Sequence, residues 1–207
     1  MKIEKNRSLL RNRRKSKGVI FFDVETNGLS GDSSVLSMGA IKTWFDGTDI
    51  GAVEETFSRF YYRNPGEPEN AGAIRVNGLT DEVIRRNRGD ALYPEQFKYD
   101  RDFPIFCSGV RHFVGHNIAF DQKFLAFSLP HTFCTMRENT NIIKLIRWAG
   151  GYKFPRLKEA ADYYQIEIDE HQLHGSDYDA FLTYEIFKRM LGNNQTKKRA
   201  VEFLEKP

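Results

Sequence analysis

The apolar positions of this chain change their period along its length, and each change marks an element. Val19, Ile20, Phe21, Phe22, Asp23, Val24 and Glu25 form a β-branched and aromatic run closed by Asn27-Gly28, the pattern of a buried strand entering a turn. Strands are predicted near residues 18–25, 34–45 and 52–62, the last carrying Phe57, Phe60 and Tyr62 in imperfect alternation. Gly47 and Gly51 punctuate the connection before it. Helices follow near 68–76 and 80–86, then a strand near 111–116, a helix over 119–128 on the spacing of Phe120, Phe124 and Phe127, and a strand near 132–136. Helices near 138–148, 156–165 and 178–191 come next, the last with Ala180, Thr183, Tyr184, Phe187, Met190 and Leu191 on one face, as a period of 3.6 requires. Ser176 or Asp177 is the capping candidate at its start. Three strands followed by alternating helices and strands predict an α/β domain, a central mixed five-stranded sheet flanked by helices.

Three of these segments carry acidic or imidazole groups in places that a packed core does not require. Alternation along the first strand sends Asp23 and Glu25 to one face and Phe22 and Val24 to the other. Two adjacent carboxylates favour protonation unless a positive group lies between them, and a hard divalent cation with oxygen ligands meets that need. Alone, the segment is equally consistent with a strand ending in solvated acids. Asp121 falls near the start of the 119–128 helix, where an acid can serve only as a dipole partner. His174 sits in the loop before the 178–191 helix and Asp179 in its first turns, with His171 as a rival imidazole. His116 reads as a structural histidine, and Asp177 on its own could be no more than a cap.

Taken together, the segments resemble the DnaQ-like exonucleases of the DEDDh class. Phe22-Asp23-Val24-Glu25-Thr26-Asn27-Gly28-Leu29 is similar to that family's first motif, Gly115-His116-Asn117-Ile118-Ala119-Phe120-Asp121 to its second, and His174 followed five residues later by Asp179-Ala180 to its third. Val76-Asn77-Gly78-Leu79-Thr80 and Cys134-Thr135-Met136 are similar to segments the family carries between its motifs. Ser176 departs from the usual alanine, and residues 87–111 match nothing in the pattern. The resemblance implies a ribonuclease-H-like fold and 3′-to-5′ hydrolysis of nucleic acid to nucleoside 5′-monophosphates. It implies two divalent ions, Mg2+ or Mn2+, held by Asp23, Glu25, Asp121 and Asp179, with His174 as general base. Histidine suits that role because its ordinary pKa, ~6.5, lets it take a proton from water at neutral pH. Thr26, Leu29, Asn77, Gly78, Leu79, Asn117 and Phe120 are the substrate contacts the resemblance implies; a turn-packing role explains Leu29 equally well, and a helix-ending Gly78 explains part of its motif without any ligand. The expected substrate is DNA, as single strands or frayed 3′ ends. RNA is the alternative, and a proofreading or interaction subunit of a DNA polymerase is a reading of a different class.

Composition narrows the setting. The chain has 207 residues, of which 40% are hydrophobic, enough for one domain with a real core. No apolar run approaches the ~20 residues of a membrane span. Two cysteines, Cys107 and Cys134, form no disulfide framework and fit a reducing, cytoplasmic location, with Cys134 read as a buried thiol in a strand. The net charge of +3 conceals an asymmetry: residues 1–17 hold eight basic groups against Glu4 alone, a balance of +7, and the remaining 190 residues carry −4. The chain is therefore read as a basic leader over 1–17, an exonuclease domain over 18–193 and a short C-terminal tail or helix over 194–207. The leader either adds phosphate contacts of steep salt dependence or is a solvated segment without function. A DNA polymerase and a second copy of the chain are the candidate protein partners.

Overall fold

A computed structural model describes residues 16–207, so the basic leader lies almost wholly outside the described residues. Five strands form one sheet: β1 (Lys17–Thr26), β2 (Val35–Phe45), β3 (Glu55–Phe60), β4 (His112–Gly115) and β5 (His131–Cys134). Their spatial order is β3-β2-β1-β4-β5. The first three pair antiparallel, as short connections allow, whereas β1–β4 and β4–β5 are parallel. The sheet is mixed, as predicted, and β1 is its centre.

The helices are α1 (Ala71–Asn77), α2 (Asp81–Arg88), α3 (Asp102–Phe106), α4 (Ile118–Asp121), α5 (Thr135–Ile143), α6 (Leu157–Tyr163), α7 (Ser176–Gly192) and α8 (Lys197–Glu205). Because strand side chains alternate, β1 serves two cores. Val19 and Phe21 pack with Ile41 beneath Tyr184, Phe187 and Met190 of α7 and Phe203 and Leu204 of α8. Ile20, Phe22 and Val24 pack with Met38, Phe57, Phe103 and Phe113 on the opposite face. Each such side chain contributes roughly 1.5–3 kcal/mol on full burial. The C-terminal stretch is thus helical and part of the first core. Among the described residues no helix is long and apolar enough to cross a membrane.

Several local expectations are corrected. The helix predicted over 119–128 ends after four residues and a 3-10 turn at Gln122–Phe124, with Leu125 already extended. Phe124, Leu125, Phe127 and Leu129 all pack, half-buried, against the second core, so contact of these large side chains with the core, not helical period, sets the path. The helix predicted over 138–148 starts at Thr135 and stops at Ile143, where Lys144 takes a left-handed conformation. Gly175, not Ser176 or Asp177, is the N-cap of α7. Cys134 does end β5 but is half-buried; Cys107 is the buried thiol, and burial pushes its pKa up to about 12.

Residues 87–111, unmatched in sequence, form a strap over β3. The buried Arg88 donates to the carbonyls of Phe60, Tyr93 and Pro94. Asp100, also buried, accepts from Arg59 at 2.6 Å and from the Tyr61 hydroxyl at 2.8 Å. Phe103 closes the second core, fully buried against Phe22 and Phe57.

Candidate active site

The face of β1 that is apolar at Val19 and Phe21 turns acidic at Asp23 and Glu25, beside the start of α7. What allows this is Gly39, which pairs with Asp23 across the β1–β2 ladder. A Cβ at position 39 would lie 2.2 Å from the Asp177 backbone nitrogen and 2.3 Å from the Ser176 carbonyl. Only a glycine therefore lets the first turn of α7 rest directly on the sheet. The Ser37 hydroxyl, on the residue paired with Glu25, donates to Ser176 Oγ at 2.9 Å and fixes the same contact. Asp179, one turn into the helix, is thereby brought over the strand acids. Asp121 arrives from the other side: α4 follows β4 directly, and Asp121 Oδ1 accepts from the Val24 N–H at 3.2 Å.

All four predicted carboxylates and His174 thus meet at the carboxyl end of β1. One ligating atom each from Glu25, His174 and Asp179 lie within 4.8 Å of one another. His174 is exposed and has a left-handed backbone (φ 65), while Asp121 and Asp179 are buried. Burial raises every carboxyl pKa, and the mutual repulsion of the acids adds to it. Asp23 is driven well above the usual range by burial and then by Asp121, Glu25 and Asp179. Glu25 rises to about 8 through burial and Asp179, against the Asn77 amide that holds it down. Asp121 and Asp179 rise to about 7, each chiefly through burial, with the N–H groups of Val24 and His174 opposing. Asp179 Oδ1 is buried without a hydrogen bond. Four clustered carboxylates and an unsatisfied buried oxygen fit a divalent cation, which would satisfy the oxygen and relieve the repulsion together.

Beside the acids lies a cleft of about 420 Å³ lined by Val24, Glu25, Thr26, Leu29, Val76, Asn77 and Phe120. Of the predicted substrate residues it gathers Thr26, Leu29, Asn77 and Phe120. Leu29 is 82% exposed, projecting from a loop held by Glu67, which accepts from Asn27 Nδ2 at 2.8 Å and from Ser34. Asn77 Nδ2 donates to the Thr26 carbonyl at 3.1 Å, and its Oδ1 accepts from the Leu79 N–H at 3.0 Å. Gly78 ends α1 with φ 68. The Leu79 side chain points away into a small core with Leu36 and Ile84. Asn117 opens α4 in a left-handed conformation (φ 77). His116 is structural, bonded to the Thr135 hydroxyl at 3.0 Å and the Pro155 carbonyl at 2.9 Å; burial lowers its pKa to about 4. Sequence reading missed Gly39 and Ser37, and named Val76 within a motif but not as a cleft residue. No local pattern distinguishes a glycine that admits a helix from one that merely weakens a strand.

A mixed sheet with order 3-2-1-4-5 and acids converging at the carboxyl end of its central strand defines the ribonuclease-H-like class. The family model RNase_T, exonuclease, matches residues 20–187. The chain belongs to that family, the DnaQ-like 3′-to-5′ exonucleases. It is 26% identical over 184 residues to DNA polymerase III subunit epsilon of Haemophilus influenzae, covering 84% of this chain and 67% of that protein. It is 28% identical over 178 residues to the PolC-type DNA polymerase III of Bacillus subtilis, covering 83% of this chain but 11% of the polymerase. The chain therefore spans about a tenth of the length of the PolC-type relatives. Among solved structures, exonuclease X bound to 5′-overhanging duplex DNA superposes with a TM-score of 0.59 at 16% identity, covering 90% of this chain and 99% of that one. Exonuclease I of E. coli with a dA16 oligonucleotide gives 0.64 at 16% identity, covering 90% and 42%. At such identities the likeness is one of fold.

Proposed function

We propose that the protein removes nucleotides from the 3′ end of DNA, as single strands or frayed ends, releasing nucleoside 5′-monophosphates with two divalent cations, Mg2+ or Mn2+. The observation that carries this reading is the convergence of Asp23, Glu25, Asp121 and Asp179 with His174 beside a partly apolar cleft. The four carboxylates would hold the cations, and bound cations stabilise both the attacking and the leaving oxygen of an in-line displacement. His174, exposed at the rim of the cluster, takes the proton of the attacking water and passes it to solvent. Water adds to phosphorus as the bond to the 3′ oxygen breaks; that oxygen takes a proton from solvent and becomes the new 3′ hydroxyl, and the terminal nucleotide leaves with the water oxygen on its 5′ phosphate. Phe120 and Leu29 offer apolar surface to the terminal base, a contact tolerant of sequence. DNA is favoured over RNA because relatives and structural neighbours are DNA polymerase components or are bound to DNA.

The test is release of mononucleotides from 3′-labelled and 5′-labelled single-stranded DNA and RNA with magnesium, manganese or chelator, with Asp23→Ala as the blank. Stepwise, metal-dependent shortening from the 3′ end, faster on DNA, is expected. Faster shortening of RNA reverses the substrate assignment, and cleavage independent of metal overturns the reading.

A further inference from the structure

Between α5 and α6 the chain leaves the core as a hairpin that the rest of the protein does not cover. Ile146 and Tyr152 bridge, Arg147 N–H donates to the Gly151 carbonyl at 2.9 Å, and Lys153 N–H donates to that of Leu145 at 2.8 Å. Gly150 and Gly151 both have positive φ (86 and 73), which a tight turn between twisted arms requires. Ile146 and Tyr152, paired across the bridge, share one face of the ribbon with Phe154, two positions further along its arm, and Trp148 stands in the turn at its tip, where the Gly150 N–H donates to the Arg147 carbonyl at 3.0 Å. Face and tip are bare: Trp148 is 104% exposed, Ile146 80%, Phe154 57% and Tyr152 42%.

The charges in its own sequence have one sign. Residues 144–158 hold Lys144, Arg147, Lys153, Arg156 and Lys158 and no acidic residue, although residues 18–207 as a whole are net negative. Lys153 is paired with Glu159, and Lys158 with Asp162 and Glu170. Lys144, Arg147 and Arg156 are exposed along the hairpin and at its roots. The root of the hairpin is fixed to the catalytic end of the sheet, because the Pro155 carbonyl is bonded to His116 at 2.9 Å, five residues before Asp121.

Resting on the nuclease reading, we propose that this hairpin is a stacking platform for single-stranded nucleic acid, holding the strand 5′ of the nucleotide being removed, with bases on Trp148 and Phe154 and phosphates on the adjacent cations. Aromatic rings in a cationic frame grip any base, since every base has a π-face. A protein partner would also cover the apolar face, but the missing acids and the surplus of cations match a phosphate backbone.

In the full chain carrying Trp44→Phe, Trp148 is the one remaining tryptophan, and its fluorescence reads the platform directly. With chelator present to stop turnover, a dT16 oligonucleotide should quench this emission saturably. In turnover assays Trp148→Ala and Phe154→Ala should each raise KM for the 16-mer about fivefold or more, the lower end of one lost base stack. The effect should shrink as the substrate is shortened to a dinucleotide, and Trp148→Phe should recover most of it. Emission that dT16 leaves unchanged, while the enzyme degrades dT16 with magnesium, overturns the platform and leaves the nuclease reading standing. Emission that shifts with protein concentration alone assigns the face to a second copy of the chain and overturns the platform too. An oligonucleotide that stays intact with either metal counts against the nuclease reading instead.

Discussion

Replacing Gly39 with alanine adds one methyl group at the contact on which the site is assembled. The new carbon would stand 2.2 Å from the Asp177 nitrogen and 2.3 Å from the Ser176 carbonyl carbon and oxygen. All three are backbone atoms, so no side-chain rotation relieves the clash. Ordinary contact needs ~3.5 Å or more, and the start of α7 must therefore retreat by roughly 1.3 Å. The rest of the helix is pinned by Tyr184, Phe187 and Met190 in the first core. The retreat is accordingly concentrated in the first turn, which carries Asp179 and follows His174. Overpacking of this size costs about 1–3 kcal/mol of stability, and at ~2–4 °C per kcal/mol the melting temperature should fall by a few degrees to about 12 °C. Activity should fall further: a displacement near 1 Å at a reacting centre costs on the order of 100-fold. The assay pairs mononucleotide release with thermal melting. Gly192→Ala serves as control, because nothing lies within 4 Å of that Cβ. A Gly39→Ala enzyme with kcat within twofold of the parent and unchanged metal binding would refute the argument that this close approach sets the geometry.

Other predictions concern the acids, the histidine and the strap. His174→Ala should lose most turnover yet still titrate with metal, whereas Asp23→Ala should lose metal binding too; identical calorimetric titrations of the two variants would sink the division of roles. In the metal-free protein Glu25 titrates near 8 and Asp121 and Asp179 near 7, against ordinary values of 4.5 and 3.8. The folded state then holds protons that the unfolded state has released, so this stability is complete below about pH 4 and is lost as pH rises through 7 to 8. Melts in chelator at pH 5, 6.5 and 8 should show the fall, flattened in Asp179→Asn and reversed by manganese most strongly at pH 8; an equal pH slope in parent and variant would contradict it. Arg59→Met leaves the buried Asp100 carboxylate without its 2.6 Å partner, and urea unfolding should report a loss of about 3–5 kcal/mol, with mononucleotide release per folded molecule little changed. A loss under 1 kcal/mol would show that the strap is held by its aromatic packing instead.

Much of the molecule was legible in the chain itself. The alternation Phe22-Asp23-Val24-Glu25 fixes which side chains share a face before any partner strand is known, because the period of a strand is a local property. The five strands, the long helix α7 and the motif residues Asp23, Glu25, Asp121, His174 and Asp179 followed from such patterns and from the family resemblance. Tertiary structure decided the rest. The helical spacing of Phe120, Phe124 and Phe127 gave way to a short helix, a 3-10 turn and a loop, which set all three rings, half-buried, against the second core. Residues 87–111 acquired their path only from β3 and the second core, through Arg88, Asp100 and Phe103. Leu79 turned into a small core while its neighbour Asn77 faced the acids. Gly39, 137 positions before Ser176 in the chain, has no meaning until α7 lies against it. Periodicity reports which face of an element is apolar, a matter of neighbouring residues. The distance of closest approach between remote backbones depends on the joint packing of both faces, and that exists only in the folded chain.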